Sequence, residues 1–240
     1  NFLKMINGTL LIDKPKNITS NKALSITKRE LSLGKAGIVG ILDPLASGML
    51  PIVINEGTKL AQYIESYEKE YLVICQLGYI STTGDEEGII TPLKRNNLNK
   101  INIKNIKETI NLFMGKQKQI PPMYSGLKVN GTKLYKLARK GITIERQPRY
   151  INVFDIQLLS YIDGLMTLNI ICSKGTYIRT LIESIGEKLN TGAYTKELRR
   201  LRIGQFKENN MIKINNLKNI SSHIISLESM LGNMKSIVLS

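Results

Sequence analysis

Residues 151–189, INVFDIQLLSYIDGLMTLNIICSKGTYIRTLIESIGEKL, contain the strongest fold signal in the chain. Two runs rich in aliphatic residues flank Asp163-Gly164, and this dipeptide is typical of a tight hairpin turn. A hairpin followed at once by an amphipathic helix predicts an α+β fold, in which helices pack on a mixed, mostly antiparallel sheet. The apolar stripe of that helix, predicted over residues 176–189, consists of Ile178, Leu181, Ile182, Ile185 and Leu189.

Short strands and helices are predicted throughout the rest of the chain. Asn130-Gly131 is a second hairpin signal, since both residues readily accept a positive φ. Beyond Phe206 the chain becomes polar and is predicted to be helical, before the strand-like residues 236–240. The other predicted elements are a strand at residues 10–12, a helix from Thr19 or Ser20 to about Leu33, a helix at 57–66, a strand at 71–80 and a helix at 103–114.

The composition indicates a folded protein with a polyanionic partner. Of 240 residues, 42% are hydrophobic, which suits one large domain or two small ones with a substantial core. Lys and Arg number 34 against 19 Asp and Glu, and the net charge of +15 favours nucleic acid as the partner. A compositionally biased genome rich in lysine would produce the same excess, so the charge alone leaves both explanations open.

The rare residues argue against several kinds of site. His223 is the one histidine in the sequence, which disfavours a Ser-His-Asp triad and a His-ligated metal. Cys75 and Cys172 stand in separate apolar runs and form no CxxC motif, so we predict buried thiols in a reducing cytoplasm and no metal site. No apolar run approaches the roughly 18 residues of a membrane span, and residues 1–7 lack a signal-peptide core, so no membrane partner is expected.

The segment most suggestive of chemistry is GIVGILDPLASGMLP at residues 37–51. Asp43 precedes a proline, which favours an extended backbone there and excludes a helix interior. Because Leu42, Pro44 and Leu45 surround it in sequence, its carboxylate needs a cationic partner or must become protonated. The alternative interpretation is a turn aspartate that caps a following helix.

Residues 40–51 of this segment resemble the core motif of the TruB-type pseudouridine synthases, which typically reads G-(A/T)-L-D-P-x-A-(T/S)-G-x-L. Other segments resemble further motifs of that family in the family's order, and together they span nearly the whole chain. These segments are GTLLIDKP at residues 8–15, KEY at 69–71, IPPMYSGLK at 120–128, CSKGTYIRTL at 172–181 and LRRL at 198–201.

The resemblance implies a bacterial-type tRNA pseudouridine synthase that isomerises uridine-55 in the TΨC stem-loop of tRNA. Guide-dependent synthases share the aspartate motif, but their longer flanking regions fit this compact chain less well. The implied organisation is a catalytic domain over residues 1–210 and a C-terminal tail over 211–240, without the PUA-like domain that family members commonly add. The implied reaction has no redox change and no net group transfer, so no cofactor is expected, and the implied enzyme is cytoplasmic and monomeric.

Three residues match the family's catalytic positions. Asp43 matches the essential aspartate, which acts as nucleophile at C1′ or C6 or assists glycal formation. Arg179 matches the arginine that pairs with that aspartate and keeps it ionised, although by itself it fits a solvated arginine of a first helical turn equally well. Tyr71 matches the tyrosine that stacks on the target base and whose hydroxyl accepts a proton, although by itself it is an ordinary strand aromatic.

Substrate binding is implied for further positions. Tyr177 and Leu198 match residues that line the uracil pocket with Tyr71, and Lys14 matches a residue that supports that pocket. Ile38 stands where the family usually has the histidine of Gly-His-Thr-Gly, which stacks in the tRNA loop. Because an isoleucine has neither a ring face nor a hydrogen-bonding group, we expect Ile38 to contact the loop and base flipping to be less efficient.

Basic residues near the motifs are candidate phosphate contacts, although each one alone is equally a solvated surface charge. Two other functions match parts of the pattern, a non-catalytic RNA-binding protein that keeps the fold and an unrelated basic α+β binding module. The presence of all three catalytic residues disfavours the former, and the ordered motifs disfavour the latter. The candidate phosphate contacts are Lys14, Lys35, Lys128, Lys133, Lys174, Arg199, Arg200 and Arg202.

Overall fold

The computed structural model describes residues 6–94 and 98–232. The strands are β1 (Gly8–Lys14), β2 (Ala36–Ile38), β3 (Ser47–Ile54), β4 (Lys69–Leu77), β5 (Tyr79–Ser81), β6 (Ile90–Pro92), β7 (Gly115–Gln119), β8 (Lys128–Val129), β9 (Thr132–Lys133), β10 (Arg149–Ile162), β11 (Leu165–Cys172), β12 (Ala193–Ile203), β13 (Ile212–Lys213) and β14 (Ile224–Ser226). The α-helices are α1 (Ser20–Glu30), α2 (Ala61–Ser66), α3 (Ile103–Asn111), α4 (Leu134–Ala138), α5 (Ile178–Lys188) and α6 (Leu227–Gly232). Short 3₁₀ helices span Asn55–Leu60, Leu98–Lys100, Glu208–Asn210, Ile214–Asn219 and Ser221–His223.

The chain forms two compact units. Of the described residues, the first contains 6–67 and 199–232, and the second contains 68–94 and 98–198. β12 contributes to both, since the boundary falls within it, between Leu198 and Arg199.

The first unit is built on a mixed sheet with the strand order β13-β1-β3-β12. β1 and β3 are antiparallel in unbroken register, from the pair Gly8 and Ile54 to the pair Lys14 and Gly48. β14 and β2 add antiparallel pairs to β1 and β3, whereas β13 and the end of β12 run parallel to their neighbours. Residues 212–226 of the chain thus supply two strands to this sheet.

Both faces of the central strands in the first unit are covered. Successive side chains of a strand point to opposite faces, so Leu10 and Ile12 pack in one core with Ala23 of α1, whereas Leu11 packs in another. That second core contains Phe206 as well. Burial on both faces explains why residues 10–12 of β1 are consecutive apolar residues rather than an alternating pattern.

The second unit has the strand order β12-β4-β11-β10-β7, and the pairs from β4 to β7 are antiparallel. Burial alternates along β4 and along β11, which is typical of a sheet with one packed face. α3 packs against β10 and α5 in this unit. None of the helices within residues 6–94 and 98–232 is both long and apolar enough to cross a membrane.

The predicted fold class, an α+β fold with a mostly antiparallel sheet, is confirmed. β10 and β11 form the predicted hairpin, and Asp163 and Gly164 at its turn have φ values of 51° and 79°. The second predicted hairpin is also present, because β8 pairs with β9 across Asn130-Gly131.

Several predicted boundaries were wrong, and each has a local cause. The first helix ends at Glu30 rather than near Leu33, because Ser32 takes a positive φ of 49° and the Leu33 N–H donates back to Lys28 O. The helix predicted at residues 57–66 is a 3₁₀ turn followed by α2, and the predicted strand at 71–80 ends at Leu77. Beyond Phe206 the chain forms 3₁₀ turns, two short strands and α6, while residues 236–240 lie outside the described residues.

Candidate active site

Asp43 lies in the first unit, in the segment between β2 and β3 that we call the aspartate loop, residues 39–46. The residue is half-buried, and the neighbouring side chains of Leu42 and Leu45 are buried. β3 begins at Ser47 with no helix between it and Asp43, so the interpretation of Asp43 as a helix cap is wrong.

The residue before Asp43 is fixed by a buried serine. Ser20 Oγ donates to Leu42 O over 2.8 Å and accepts from Leu42 N over 2.9 Å. Thr19 caps α1 through its side chain, which leaves the Ser20 hydroxyl available for the loop.

The residue after Asp43 is fixed by a buried lysine and by the backbone. Pro44 O accepts from Asn17 N over 2.8 Å and from Lys14 Nζ over 3.3 Å. The Lys14 side chain is fully buried, and its ammonium group also donates to Pro15 O and Ile18 O at 2.9 and 2.8 Å. A charged donor shared by three backbone carbonyls holds this turn rigidly.

Arg200 joins the beginning of the aspartate loop to β3. Its Nη2 donates to Gly40 O over 2.7 Å, and its Nε donates to Met49 O over 2.8 Å. Only 2% of the residue is exposed. Gly48, whose φ is 95°, lies directly against the backbone of Arg200, where a Cβ atom would clash.

Because of these hydrogen bonds, two of the predicted phosphate contacts, Lys14 and Arg200, were wrong. Lys14 and Arg200 are buried and donate to backbone carbonyls, so neither is a solvated surface charge available to a phosphate. Arg199 donates to both oxygens of Asp13, at 2.8 and 3.1 Å, and to Glu208 at 2.7 Å. These hydrogen bonds, the one to Asp13 first, raise the pKa of Arg199.

Arg179 lies in the second unit, near the start of α5, and is only 5% exposed. Its Nη1 donates to Thr83 O and its Nη2 donates to Tyr124 O, both over 2.7 Å. Its Nη1 is also 3.3 Å from Asp85 Oδ2 in a buried ion pair. The interpretation of Arg179 as a solvated first-turn arginine is therefore wrong.

Two carboxylates surround Arg179. Asp85 is 1% exposed, and its Oδ1 accepts from Thr83 Oγ1 over 2.6 Å and from Glu87 N over 3.0 Å. Glu183 lies four residues after Arg179 on α5. Burial raises the pKa of Glu183 and the Asp85 charge adds to that rise, while Arg179 opposes it.

A cavity of about 310 Å³ lies beside this network within the second unit. Thr83 and Tyr124, which accept from Arg179, line it together with Glu183 and Arg146. The Nε atom of Arg146 is buried there and has no hydrogen-bond partner among the described residues.

Tyr177 is positioned by a glutamine from β7. Gln119 Oε1 accepts from Tyr177 N over 2.8 Å, and Gln119 Nε2 donates to Tyr177 O over 3.0 Å. Tyr177 keeps an extended backbone (φ −91°, ψ 105°), so α5 begins at Ile178 rather than at the predicted residue 176.

The remaining predicted site residues lie on strands. Tyr71 is in β4 opposite Ile170 and is 8% exposed, and Leu198 is buried in β12. Ile38 is in β2 opposite Ile52, where it packs half-buried against the first core. The predicted residues of the first unit are Lys14, Ile38 and Asp43, and those of the second are Tyr71, Tyr177, Arg179 and Leu198.

The positioning roles of Ser20, Arg200, Asp85 and Gln119 were not predicted from the sequence. Ser20 carried one weak signal, because a helix needs a single cap and Thr19 stands beside it. Asp85 follows Thr83-Gly84, and such a sequence indicates a turn but no ion pair. The others bond to segments more than 50 residues away, which no local pattern reveals.

No group of three or more His, Cys, Asp or Glu side chains in the described part of the chain is arranged to hold a metal ion. Cys75 and Cys172 are free and buried, as predicted. Burial raises the pKa of the Cys172 thiol to about 12, so it stays protonated at neutral pH.

Comparison with known families gives two matches. Residues 28–178 match the family described as TruB family pseudouridylate synthase (N terminal domain). Residues 179–238 match the tRNA pseudouridylate synthase B C-terminal domain.

Proteins called tRNA pseudouridine synthase B are similar to this chain over most of its length. The protein from Nitrosococcus oceani is 43% identical over 213 residues, which are 89% of this chain and 68% of that protein. The protein from Coxiella burnetii (strain Dugway 5J108-111) is 40% identical over 248 residues, covering 100% of this chain and 80% of that protein.

Two solved structures share the fold. A chain in "Crystal Structure of a Cbf5-Nop10-Gar1 Complex" superposes with a TM-score of 0.68 at 29% identity, over 87% of this chain and 53% of that one. A chain in "Structure of H/ACA RNP bound to a substrate RNA containing 2'-deoxyuridine" gives 0.65 at 27% identity, over 87% and 51%. This chain thus spans about half the length of those chains.

Proposed function

Because the chain belongs to the TruB family of pseudouridylate synthases, we propose that it isomerises uridine-55 in the TΨC loop of tRNA to pseudouridine. Relatives named tRNA pseudouridine synthase B, 40–43% identical over most of the chain, support tRNA as the substrate. We assign the chemistry to a catalytic domain of residues 1–210, followed by the tail of residues 211–240, acting as a monomer.

The reaction is an isomerisation within one nucleotide. The N1–C1′ bond breaks, the detached uracil rotates and a C5–C1′ bond forms, while the proton on C5 is lost and N1 gains one. Atoms and electrons balance without an oxidant or a co-substrate. The protein must therefore supply a charged carboxylate, a proton acceptor and a site that retains the free base.

The observation that carries the proposal is the rigid mounting of Asp43. Ser20 holds the residue before it and Lys14 the residue after it, while Arg200 holds the beginning of the loop. A nucleophile that is held in one position loses little entropy on reaching the transition state, which lowers the barrier. Asp43 attacks C1′ or C6, or assists formation of a glycal.

The residues of the second unit are proposed to act on the base. Tyr71 stacks on the uracil and its hydroxyl accepts the C5 proton, while Tyr177 and Leu198 line the uracil pocket. Arg179 is proposed to keep the catalytic carboxylate ionised, and its fixed orientation by Thr83 O supports a positioning function.

The target nucleotide must leave its stack before it reacts, which costs a few kcal/mol. We propose that Ile38 contributes an apolar contact to the RNA loop in that state. Its packing in β2 supports a fixed position for this contact.

The test uses unmodified tRNA labelled with tritium at C5 of uridine, since the isomerisation releases this label to water. Wild type is expected to release it, and Asp43→Asn is expected to lose release by a factor of at least about 10³, because the amide cannot act as a nucleophile. Asp163→Asn is the matched control, since it makes the same change in an exposed turn with positive φ, which Asn tolerates.

A non-catalytic RNA-binding protein is the competing function. It predicts that wild type and Asp43→Asn bind tRNA equally and that neither releases label, and that result rejects the proposed enzyme. Release from a tRNA whose uridine-55 is replaced by another base would instead reject the proposed position.

A further inference from the structure

The outer strand of the second unit's sheet presents two lysines to solvent. β7 is the last strand in the order of this sheet. Lys116 and Lys118 are exposed, whereas the alternating residues Gln117 and Gln119 are half-buried and buried. Side chains two residues apart on a strand share one face and stand about 6.8 Å apart, so the two ammonium groups reach separate anions.

Tyr150 of β10 lies beneath both lysines. It pairs with Lys118 in the antiparallel register, and its residue is 65% exposed. The Nζ atoms of Lys116 and Lys118 are 4.7 and 5.7 Å from the centre of its ring. The ring face attracts the ammonium groups, which holds two positive charges side by side on an exposed surface.

Further positive charge lies next to this pair. Asn152 pairs with Lys116, and its backbone O accepts from Ser173 N over 2.8 Å. The next residue after Ser173 is Lys174, which is exposed. The nearest acidic residue along β10 is Asp155, whose carboxylate accepts a hydrogen bond from Gln157.

We propose that Lys116, Lys118 and Tyr150 form a phosphate-binding surface that contacts the RNA backbone of the substrate. This inference rests on the proposed tRNA substrate and adds a contact for it outside the residues assigned to catalysis. An RNA strand presents phosphates at regular intervals, which paired ammonium groups can contact. It also presents bases, which stack on aromatic rings such as that of a tyrosine. RNA is favoured over a partner protein, because lysines on an edge strand oppose the addition of another strand.

The test measures the binding of full-length unmodified tRNA to the double variant Lys116→Gln with Lys118→Gln as salt is raised. Each phosphate contact contributes about 0.9 to the slope of log affinity against log salt for a duplex, so two contacts contribute about 1.8. The ratio of the variant's Kd to that of wild type is then expected to fall about tenfold between 50 and 200 mM salt. Tyr150→Leu is expected to weaken binding about two- to fivefold at low salt, because the ring no longer holds the ammonium groups.

The matched control is Lys104→Gln with Lys107→Gln. This pair removes the same charge from the exposed side of α3 in the same unit. The proposal is overturned if the two double variants have the same affinity and the same salt slope. Polyglutamate serves as a probe for an acidic protein partner. If Lys116→Gln with Lys118→Gln loses polyglutamate binding while its tRNA binding is unchanged, the surface binds an acidic protein and the proposal is also overturned.

The binding result is independent of turnover. Label release from an isolated TΨC stem-loop by wild type tests the proposed function, and its absence with intact tRNA binding rejects the enzyme alone. Conversely, normal label release with no difference between the double variants rejects only the surface.

Discussion

Replacing Arg200 by lysine tests whether the aspartate loop is held by buried polar side chains. The guanidinium reaches Gly40 O with Nη2 and Met49 O with Nε, and these carbonyls stand at the two ends of the segment that includes Asp43. A lysine keeps the positive charge, but its single ammonium group cannot make both contacts in this geometry. Arg200→Lys therefore removes one anchor without removing the charge.

The expected magnitude follows from the burial of the site. A hydrogen bond from a charged group contributes about 1.5–3 kcal/mol, so the loss of one is expected to lower the free energy of unfolding by about that amount. Total stabilities are about 5–15 kcal/mol, so the variant should still fold. A carboxylate misplaced by about 1 Å loses a factor of about 10² in rate, and kcat is expected to fall more than KM rises.

The assay combines urea unfolding with label release from C5-tritiated tRNA. The control is Arg29→Lys, the same change in the same unit, at a residue whose ion pair with Glu30 is exposed. Exposed pairs contribute at most about 1 kcal/mol, so this control should be nearly as stable as wild type. The proposed anchoring is refuted if Arg200→Lys is as stable as Arg29→Lys, or if it loses stability while kcat is unchanged.

Two further predictions concern the second unit. Asp85→Asn is expected to lower the free energy of unfolding by about 1.5–3 kcal/mol, because it removes one buried charged contact of Arg179 Nη1, and urea unfolding beside Asp163→Asn measures this. Burial raises the pKa of the Glu183 carboxyl above its ordinary value of 4.5, so the folded state binds the carboxyl proton more tightly than the unfolded state does. The free energy of unfolding is therefore expected to fall as pH rises from 4.5 through the folded pKa. Glu183→Gln should remove that part of the decline, and an unchanged slope of unfolding free energy against pH would contradict the assignment.

The features that the sequence predicted well are those that depend on neighbouring residues. Asp163-Gly164 and Asn130-Gly131 specify hairpin turns through their own backbone preferences, and β10 and β11 follow from the runs beside the first of these turns. The start of α5 could not be predicted in the same way. It depends on Gln119, which binds the Tyr177 backbone from 58 residues away.

In the candidate site, too, features set by neighbouring residues were predicted and features set by distant residues were not. The core motif and the proline identified Asp43, because both are local. The groups that fix it were not identified, since a buried lysine or arginine contradicts the usual exposure of these residue types. Arg179 was assigned by resemblance, but its partners Asp85, Thr83 and Tyr124 became visible only in the structure.

The net charge of +15 therefore combines basic residues in different physical states. Lys14 and Arg200 are buried and donate hydrogen bonds to backbone carbonyls, whereas the side chains of Lys116 and Lys118 are exposed at the surface. A buried cation changes stability when it is removed, but it contributes nothing to counterion release. An exposed cation at an RNA contact does the opposite, since its removal changes the salt slope and leaves the free energy of unfolding nearly intact. Measuring both quantities on one set of lysine and arginine variants thus separates the residues that shape the aspartate loop from those that bind the substrate, although composition treats them alike.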